Sequence, residues 1–206
     1  MKIGAFTLTY NRLNLTKRTH KSIADNSFID YHLYIDQNSN DGTQDWIEKN
    51  ISYYIFLKRN IGISKGISLA IDTLKDMDLD LVIKLDNDIE IVTHTILEKI
   101  KDFYSKSGMN YVISPRDLTI DPNYEPQKIS REVIGDYTFQ KTTHTGGAFL
   151  VMPKKAFIQL ALLGMKEDMD IGRFFRAAGY QTGYINELGI NHIGLNKSTS
   201  HNEYIF

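Results

Sequence analysis

Asp86-Asn87-Asp88 follows a short apolar run. Residues two apart at the end of a strand share a face, so these two carboxylates can converge on one point. Two hard oxygen donors with room left for water suit Mg²⁺ or Mn²⁺ shared with a diphosphate. All three residues also favour turns, which leaves a plain turn as the alternative reading. Three further polar clusters follow apolar runs: Thr9-Tyr10-Asn11-Arg12, Asp36 through Asp41-Gly42-Thr43, and Arg59-Asn60-Ile61-Gly62. Late in the chain stand Glu167-Asp168-Met169-Asp170 and Asn191-His192. A carboxylate such as Asp168 can take a proton from a hydroxyl, but at a helix start it is equally favoured as a cap by the free amides and the dipole. His192 between apolar residues reads either as a structural histidine or as a third ligand beside the paired aspartates.

The elements that must position these residues follow from the periodicity. Lys2–Thr9, Tyr31–Asp36, Ser52–Leu57 and Asp80–Leu85 are short, β-branched or aromatic, and read as strands. Helices are predicted over Asn14–Ala24, Gly42–Lys49 and Ser64–Lys75, the last with Ile67, Ala70, Ile71 and Leu74 on one apolar face. Such alternation predicts right-handed crossovers and an α/β, mostly parallel sheet flanked by helices. Ligands bind such sheets beyond the carboxyl ends of the strands, where the polar clusters fall. The second half reads as a helix over Thr93–Lys106, a strand at Tyr111–Ser114, a strand pair at Val133–Gln140 and Thr145–Met152, helices over Pro153–Leu163 and Asp168–Ala178, and final strands at Tyr180–Ile185 and Ile190–Ile193.

Composition narrows the function. The chain has 206 residues, no cysteine and a net charge of -1, which suits one domain and excludes disulfides, thiolate zinc sites and a cysteine nucleophile. The balanced charge gives no case for nucleic acid as a partner. There is no signal-peptide pattern and no stretch of ~18 apolar residues, so we expect no transmembrane segment and a soluble, cytoplasmic protein, with peripheral membrane contact if its substrate is lipid-linked. No G-x-G-x-x-G or Walker loop follows the first strand, which argues against dinucleotide and P-loop chemistry. A single domain excised from a longer protein is the alternative reading of the chain.

The ordered set Asp36…Asp41-Gly42-Thr43, Asn60-x-Gly62 and Leu85-Asp86-Asn87-Asp88 resembles the nucleotide-binding half of family 2 glycosyltransferases of the GT-A fold. Thr145-Gly146-Gly147-Ala148-Phe149-Leu150 looks like the family's T-G-G strand, Glu167-Asp168-Met169-Asp170-Ile171 its acidic helix start, and His192 its late metal-binding histidine. The resemblance extends over about residues 3 to 194. It departs at Ile67 and Ser68, where many relatives carry an arginine-asparagine pair, with Lys65 as the nearby cation, and at Gln37, where a second acidic residue is common.

The resemblance implies a Rossmann-like nucleotide-binding half over 1–92 and an acceptor-binding half over 93–206. It implies a metal-dependent, inverting transfer from a nucleoside-diphosphate sugar, UDP-sugars favoured, to a saccharide or other hydroxyl acceptor. Mn²⁺ or Mg²⁺ would be held by Asp88, His192 and Asp86. Thr9, Arg12, Asp36, Asn60, Lys65, Asp86 and Asn87 would bind the nucleotide sugar; Gly146, Gly147 and Glu167 would face the acceptor; and Asp168 would be the general base. His144, one residue before the T-G-G strand, could approach the acceptor. The alternatives are a nucleotide-sugar-binding module without turnover and a nucleotidylyltransferase. The latter normally has a Gly-rich basic loop after strand one, whereas Thr7–Leu15 contains no glycine.

Overall fold

A computed structural model describes residues 1–26, 29–120, 128–143, 145–162 and 168–194. The first half repeats strand and helix: β1 (Ile3–Thr9), α1 (Leu13–Asn26), β2 (Tyr31–Asp36), α2 (Thr43–Asn50), β3 (Tyr53–Phe56), α3 (Gly62–Leu74) and β4 (Leu81–Leu85). Then follow β5 (Ile89–Ile91), α4 (Ile96–Ser107), β6 (Tyr111–Asp117), β7 (Lys128–Ile134), β8 (Tyr137–Thr142), β9 (Phe149–Pro153), α5 (Lys154–Gln159), a 3₁₀ turn at Leu160–Leu162, α6 (Asp168–Ala177) and β10 (Gln181–His192).

Ten strands form one sheet in the order β3-β2-β1-β4-β9-β6-β10-β8-β7, with β5 paired to β10. The first four strands are mutually parallel. Beyond β4 the sheet is mixed, because β9 runs antiparallel to both β4 and β6, and β8 and β5 run antiparallel to β10. Alternate residues of each central strand feed opposite cores. Ala5, Ile83, Ile113 and Val151 pack with Ile23 of α1 and Ile100 and Phe103 of α4. Phe6, Val82, Val112 and Leu150 pack with Ile71 of α3, Phe157 of α5 and Phe175 of α6. The sheet is therefore covered by helices on both faces, and its loops at the carboxyl edge of β1–β4 are left as the place for a ligand. Among the described residues no helix is long and apolar enough to cross a membrane.

Four expectations are corrected. The predicted strand Val133–Gln140 is a hairpin, β7 and β8, turning at Gly135, whose φ of 57 is the left-handed conformation that glycine adopts readily. Thr145–Ala148 lies outside the strand: the ladder partner of Phe149 is Leu85, where β4 ends, so earlier residues have no β4 to pair with. The predicted helix from Pro153 stays helical only to Gln159 before tightening into the 3₁₀ turn. The two final strands are one strand, β10, interrupted by a bulge between Ile185 and Gly189. That bulge lets the end of β10 leave β8 and pair with β5. β5 itself, three residues directly after the paired aspartates, carries too little pattern to be read from sequence.

Candidate functional site

β5 and β10 bring together three groups that could hold a metal ion. Their antiparallel register places His192 opposite Ile89, and the amide of Ile193 donates to the carbonyl of Asp88 at 2.8 Å. His192 is thereby carried to Asp86-Asn87-Asp88 from far along the sequence. Ligand atoms of Asp86, Asp88 and His192 lie within 4.8 Å of one another. Two carboxylates and one imidazole, with further positions left for water and phosphate oxygens, suit Mn²⁺ or Mg²⁺.

Asp88 is buried, with Oδ1 3.0 Å from Nε2 of His192 and Oδ2 accepting from Nη1 of Arg12 at 2.9 Å. Burial alone would raise its carboxyl, but the hydrogen bond and charge of His192, with Arg12 and Lys84, outweigh that and hold it below the ordinary aspartate value. For His192, burial acts to lower the imidazole, yet the bond and charge of Asp88 and the carboxylates of Asp86 and Asp117 raise it above the usual histidine value. Asp86 is less enclosed and pairs with the buried ammonium of Lys84 at 2.7 Å. Lys84 also donates to the carbonyl of Gly147 at 2.6 Å, so one side chain joins the paired aspartates to the Gly146-Gly147 segment. Ser114 holds the carbonyl of Gly146 at 2.8 Å, and the amide of Asp86 holds that of Ala148 at 2.8 Å.

The loops after β1 and β2 are braced by two aspartates. Asp36 is fully buried, and each of its oxygens accepts twice: Oδ1 from the amide of Ser39 and from Nε2 of Gln44, Oδ2 from the hydroxyls of Thr9 and Ser39, at 2.5–2.9 Å. Asp41 accepts from the amides of Leu13 and Thr43, the first residues of α1 and α2, and so ties two helix starts together. The loop after β3 is fixed differently: Gln37 accepts from the amide of Ile61 at 3.0 Å, and Asn60 closes on the amide of Gly62 at 2.8 Å. Replacing Asp36 by alanine strips four donors of their acceptor, and we expect a loss of about 2–4 kcal/mol in a urea unfolding series, with weakened nucleotide binding following from the loosened loops. An unchanged midpoint would refute the bracing role.

The sequence-predicted residues thus divide. Asp86, Asp88, His192 and Arg12 come together, and Thr9 and Asp36 form the adjoining scaffold. Asn87 turns inward, buried, and donates to Thr16 of α1 at 3.1 Å. Lys65 stands exposed near the start of α3. Gly146 and Gly147 lie beside the Lys84–Asp86 pair. Asp168 opens α6, although its side chain falls outside what is described, and Glu167 and His144 lie outside the described residues.

Sequence reasoning missed Lys84, Asp117 and Gly194. Asp117, at the end of β6, accepts from the amide of His192 at 3.3 Å and has Oδ2 3.8 Å from its Nδ1. A β-carbon on Gly194 would fall 2.0 Å from Oδ2 of Asp88, so only glycine leaves that carboxylate in place. The Lys84 signal was present as a lysine in an otherwise apolar strand; the other two had no local pattern to find.

Residues 5–170 match the family model described as Glycosyl transferase family 2. No curated protein matches the sequence significantly. Among solved structures, the chain is similar to a mannosyltransferase of Pyrobaculum calidifontis determined with GDP-Man and Mn²⁺, at 12% identity and a TM-score of 0.69, covering 96% of this chain and 58% of that one. It is similar to GalNAc-T7 determined with UDP, GalNAc and Mn²⁺, at 12% identity and a TM-score of 0.70, covering 99% and 46%. A third is TarS of S. aureus with UDP-GlcNAc, at 15% identity and a TM-score of 0.68, covering 100% and 62%. These likenesses show the GT-A fold. The chain spans 46–62% of the length of those chains.

Proposed function

Because the chain belongs to glycosyl transferase family 2, we propose that it moves a sugar from a nucleoside-diphosphate sugar to an acceptor hydroxyl with a divalent cation. The observation that carries this reading is the convergence of Asp86, Asp88 and His192 at the carboxyl edge of the parallel strands, beside Arg12. Such a cation neutralises the charge that grows on the diphosphate as the glycosidic bond breaks.

The chain's own groups supply the rest. Asp88 and His192 would hold the ion, with Asp86 joining directly or through water. Residues 1–92 are the nucleotide half: Thr9, Arg12, Asp36, Asn60, Lys65, Asp86 and Asn87 stand at the strand ends, loops and helix start of the donor side, which Asp36 and Asp41 keep in shape. Residues 93–206 are the acceptor half, with Gly146, Gly147 and Glu167 toward the acceptor. Asp168 takes the proton of the attacking hydroxyl. An aspartate is ionised near neutral pH at its reference pKa of about 3.9, so this base needs no large shift. One base opposite the leaving group implies a single displacement with inversion at the anomeric carbon.

UDP-sugars are our first choice of donor. Structures similar to this chain include ones determined with UDP-GlcNAc and with UDP and GalNAc, and one with GDP-Man. A thermal-shift panel of UDP-, GDP- and TDP-sugars, each with and without Mn²⁺, tests the reading. A bound donor at 100 times its Kd adds about 2.7 kcal/mol, and the shift should require the metal. A panel without any metal-dependent shift would refute the proposal.

A further inference from the structure

The ligand set has a feature that bears on how it is filled. Both oxygens of Asp88 are engaged: Oδ1 with His192 at 3.0 Å, Oδ2 with the guanidinium of Arg12 at 2.9 Å. The imidazole is itself a ligand and can stay beside the ion. The guanidinium cannot ligate a cation and carries the same sign of charge, so it and a divalent ion compete for one carboxylate oxygen.

The backbone under Arg12 is built to let the head move while its root stays fixed. Asn11 and Arg12 both take the left-handed conformation, at φ of 57 and 64, which is uncommon for residues with a β-carbon. They are pinned there by protein bonds. The amide of Asn11 donates to Ser39 at 2.6 Å, the amide of Asn40 to the side chain of Asn11 at 3.0 Å, and the amide and hydroxyl of Thr16 to the carbonyl of Arg12 at 3.0 and 3.2 Å. The Arg12 side chain is 44% exposed, whereas that of Asp88 is 6% exposed. A long cationic side chain thus rises from a rigid loop, with its tip on a buried anion and its flank in solvent.

We propose that Arg12 is an exchangeable counter-ion: it neutralises Asp88 while the metal is away, yields that oxygen to the incoming ion, and passes its guanidinium to the diphosphate that arrives with it. Resting on the glycosyltransferase reading, this deepens it by giving the site an order of filling. The metal alone binds weakly because it must displace Arg12. Metal and diphosphate together bind well because the displaced guanidinium gains phosphate oxygens, to which its planar fork is suited.

Arg12→Asn tests this, since asparagine tolerates the left-handed backbone and is too short to replace the guanidinium. Thermal denaturation of the variant confirms folding, and Arg12→Gln repeats the measurement with a longer neutral side chain. In calorimetric titration with Mn²⁺ alone, both variants should bind roughly tenfold tighter than the wild type, in keeping with the loss of one charge-assisted bond to the competing cation. With Mn²⁺ saturating, both should bind UDP roughly tenfold more weakly. The opposite signs are diagnostic, because a merely structural arginine would weaken both. Mn²⁺ affinity that is unchanged or reduced overturns the exchange, and so does unchanged UDP affinity. If wild type and Asp88→Ala titrate identically with Mn²⁺, the metal reading itself falls, which separates that failure from the failure of the exchange alone.

Discussion

Replacing Asp88 by alanine is expected to abolish Mn²⁺-dependent donor binding, with transfer falling by ~10³-fold or more, while the protein remains folded. The direction follows from geometry: Asp88 is the buried member of the proposed ligand set, and it touches both His192 and Arg12. Its loss leaves two ligands, one of them partly exposed and already paired with Lys84. Removing one preorganised electrostatic partner of a developing charge typically costs 10²–10³-fold, and the donor loses the ion as a tether as well. The fold should survive, since Arg12 can turn to solvent and His192, freed of its carboxylate partner, can lose its proton. Calorimetry with UDP in the presence and absence of Mn²⁺ provides the check, and metal-dependent affinity persisting in the folded variant would remove Asp88 from the site.

The same site fixes the sign of its pH dependence. His192 is raised above the ordinary histidine value and must be deprotonated to ligate an ion. Protons and metal therefore compete, and Mn²⁺-dependent donor affinity should decline as pH is lowered through the raised His192 pKa. Asp88, held below the ordinary aspartate value, stays ionised across that range and contributes nothing to the slope.

The two halves of the molecule differed in how far local sequence could be read. Strands β1 to β4 announced themselves because each is a short apolar run bounded by polar residues, and local pattern suffices for strands joined by helical crossovers. The polar clusters after them fell at the sheet edge as expected. What local pattern does not carry is pairing between distant strands. β5 is three residues long, and β10 changes partners across a bulge, yet it is this pair that brings His192 to Asp88. The histidine was placed by resemblance; the backbone reason for its placement became visible only in the sheet.

Residue type foretold the polar roles unevenly for a similar reason. Asp36 was expected to accept from a nucleotide, whereas its four acceptor contacts go to Thr9, Ser39 and Gln44, so its direct work is on the loops. Asn87, in the turn between β4 and β5 and flanked by the two candidate ligands, points away from them and donates to Thr16 of α1. Gly194 shows the converse: a glycine with no motif around it is required because the carboxylate of Asp88 occupies the space of its β-carbon.

Asp168→Asn is expected to bind the donor with near wild-type affinity and to transfer it ~10²–10⁴-fold more slowly, the usual range for loss of a general base. The substitution separates two roles that coincide at the first residue of α6. If Asp168 serves only the helix start, its charge gains about 0.3–1 kcal/mol from the helix dipole, so asparagine should cost little stability and leave turnover alone. As a proton acceptor, asparagine is inert at the same size and shape. On the proposed reading, donor binding draws on Asp86, Asp88 and His192, which the β5–β10 pairing brings together just beyond the end of β4. A fall in turnover with unchanged Mn²⁺-dependent donor affinity and an unchanged melting temperature therefore isolates the proton transfer. Normal turnover with the true acceptor would sink the assignment, and Asp170 and Glu167, the other carboxylates around that helix start, would be the next to replace.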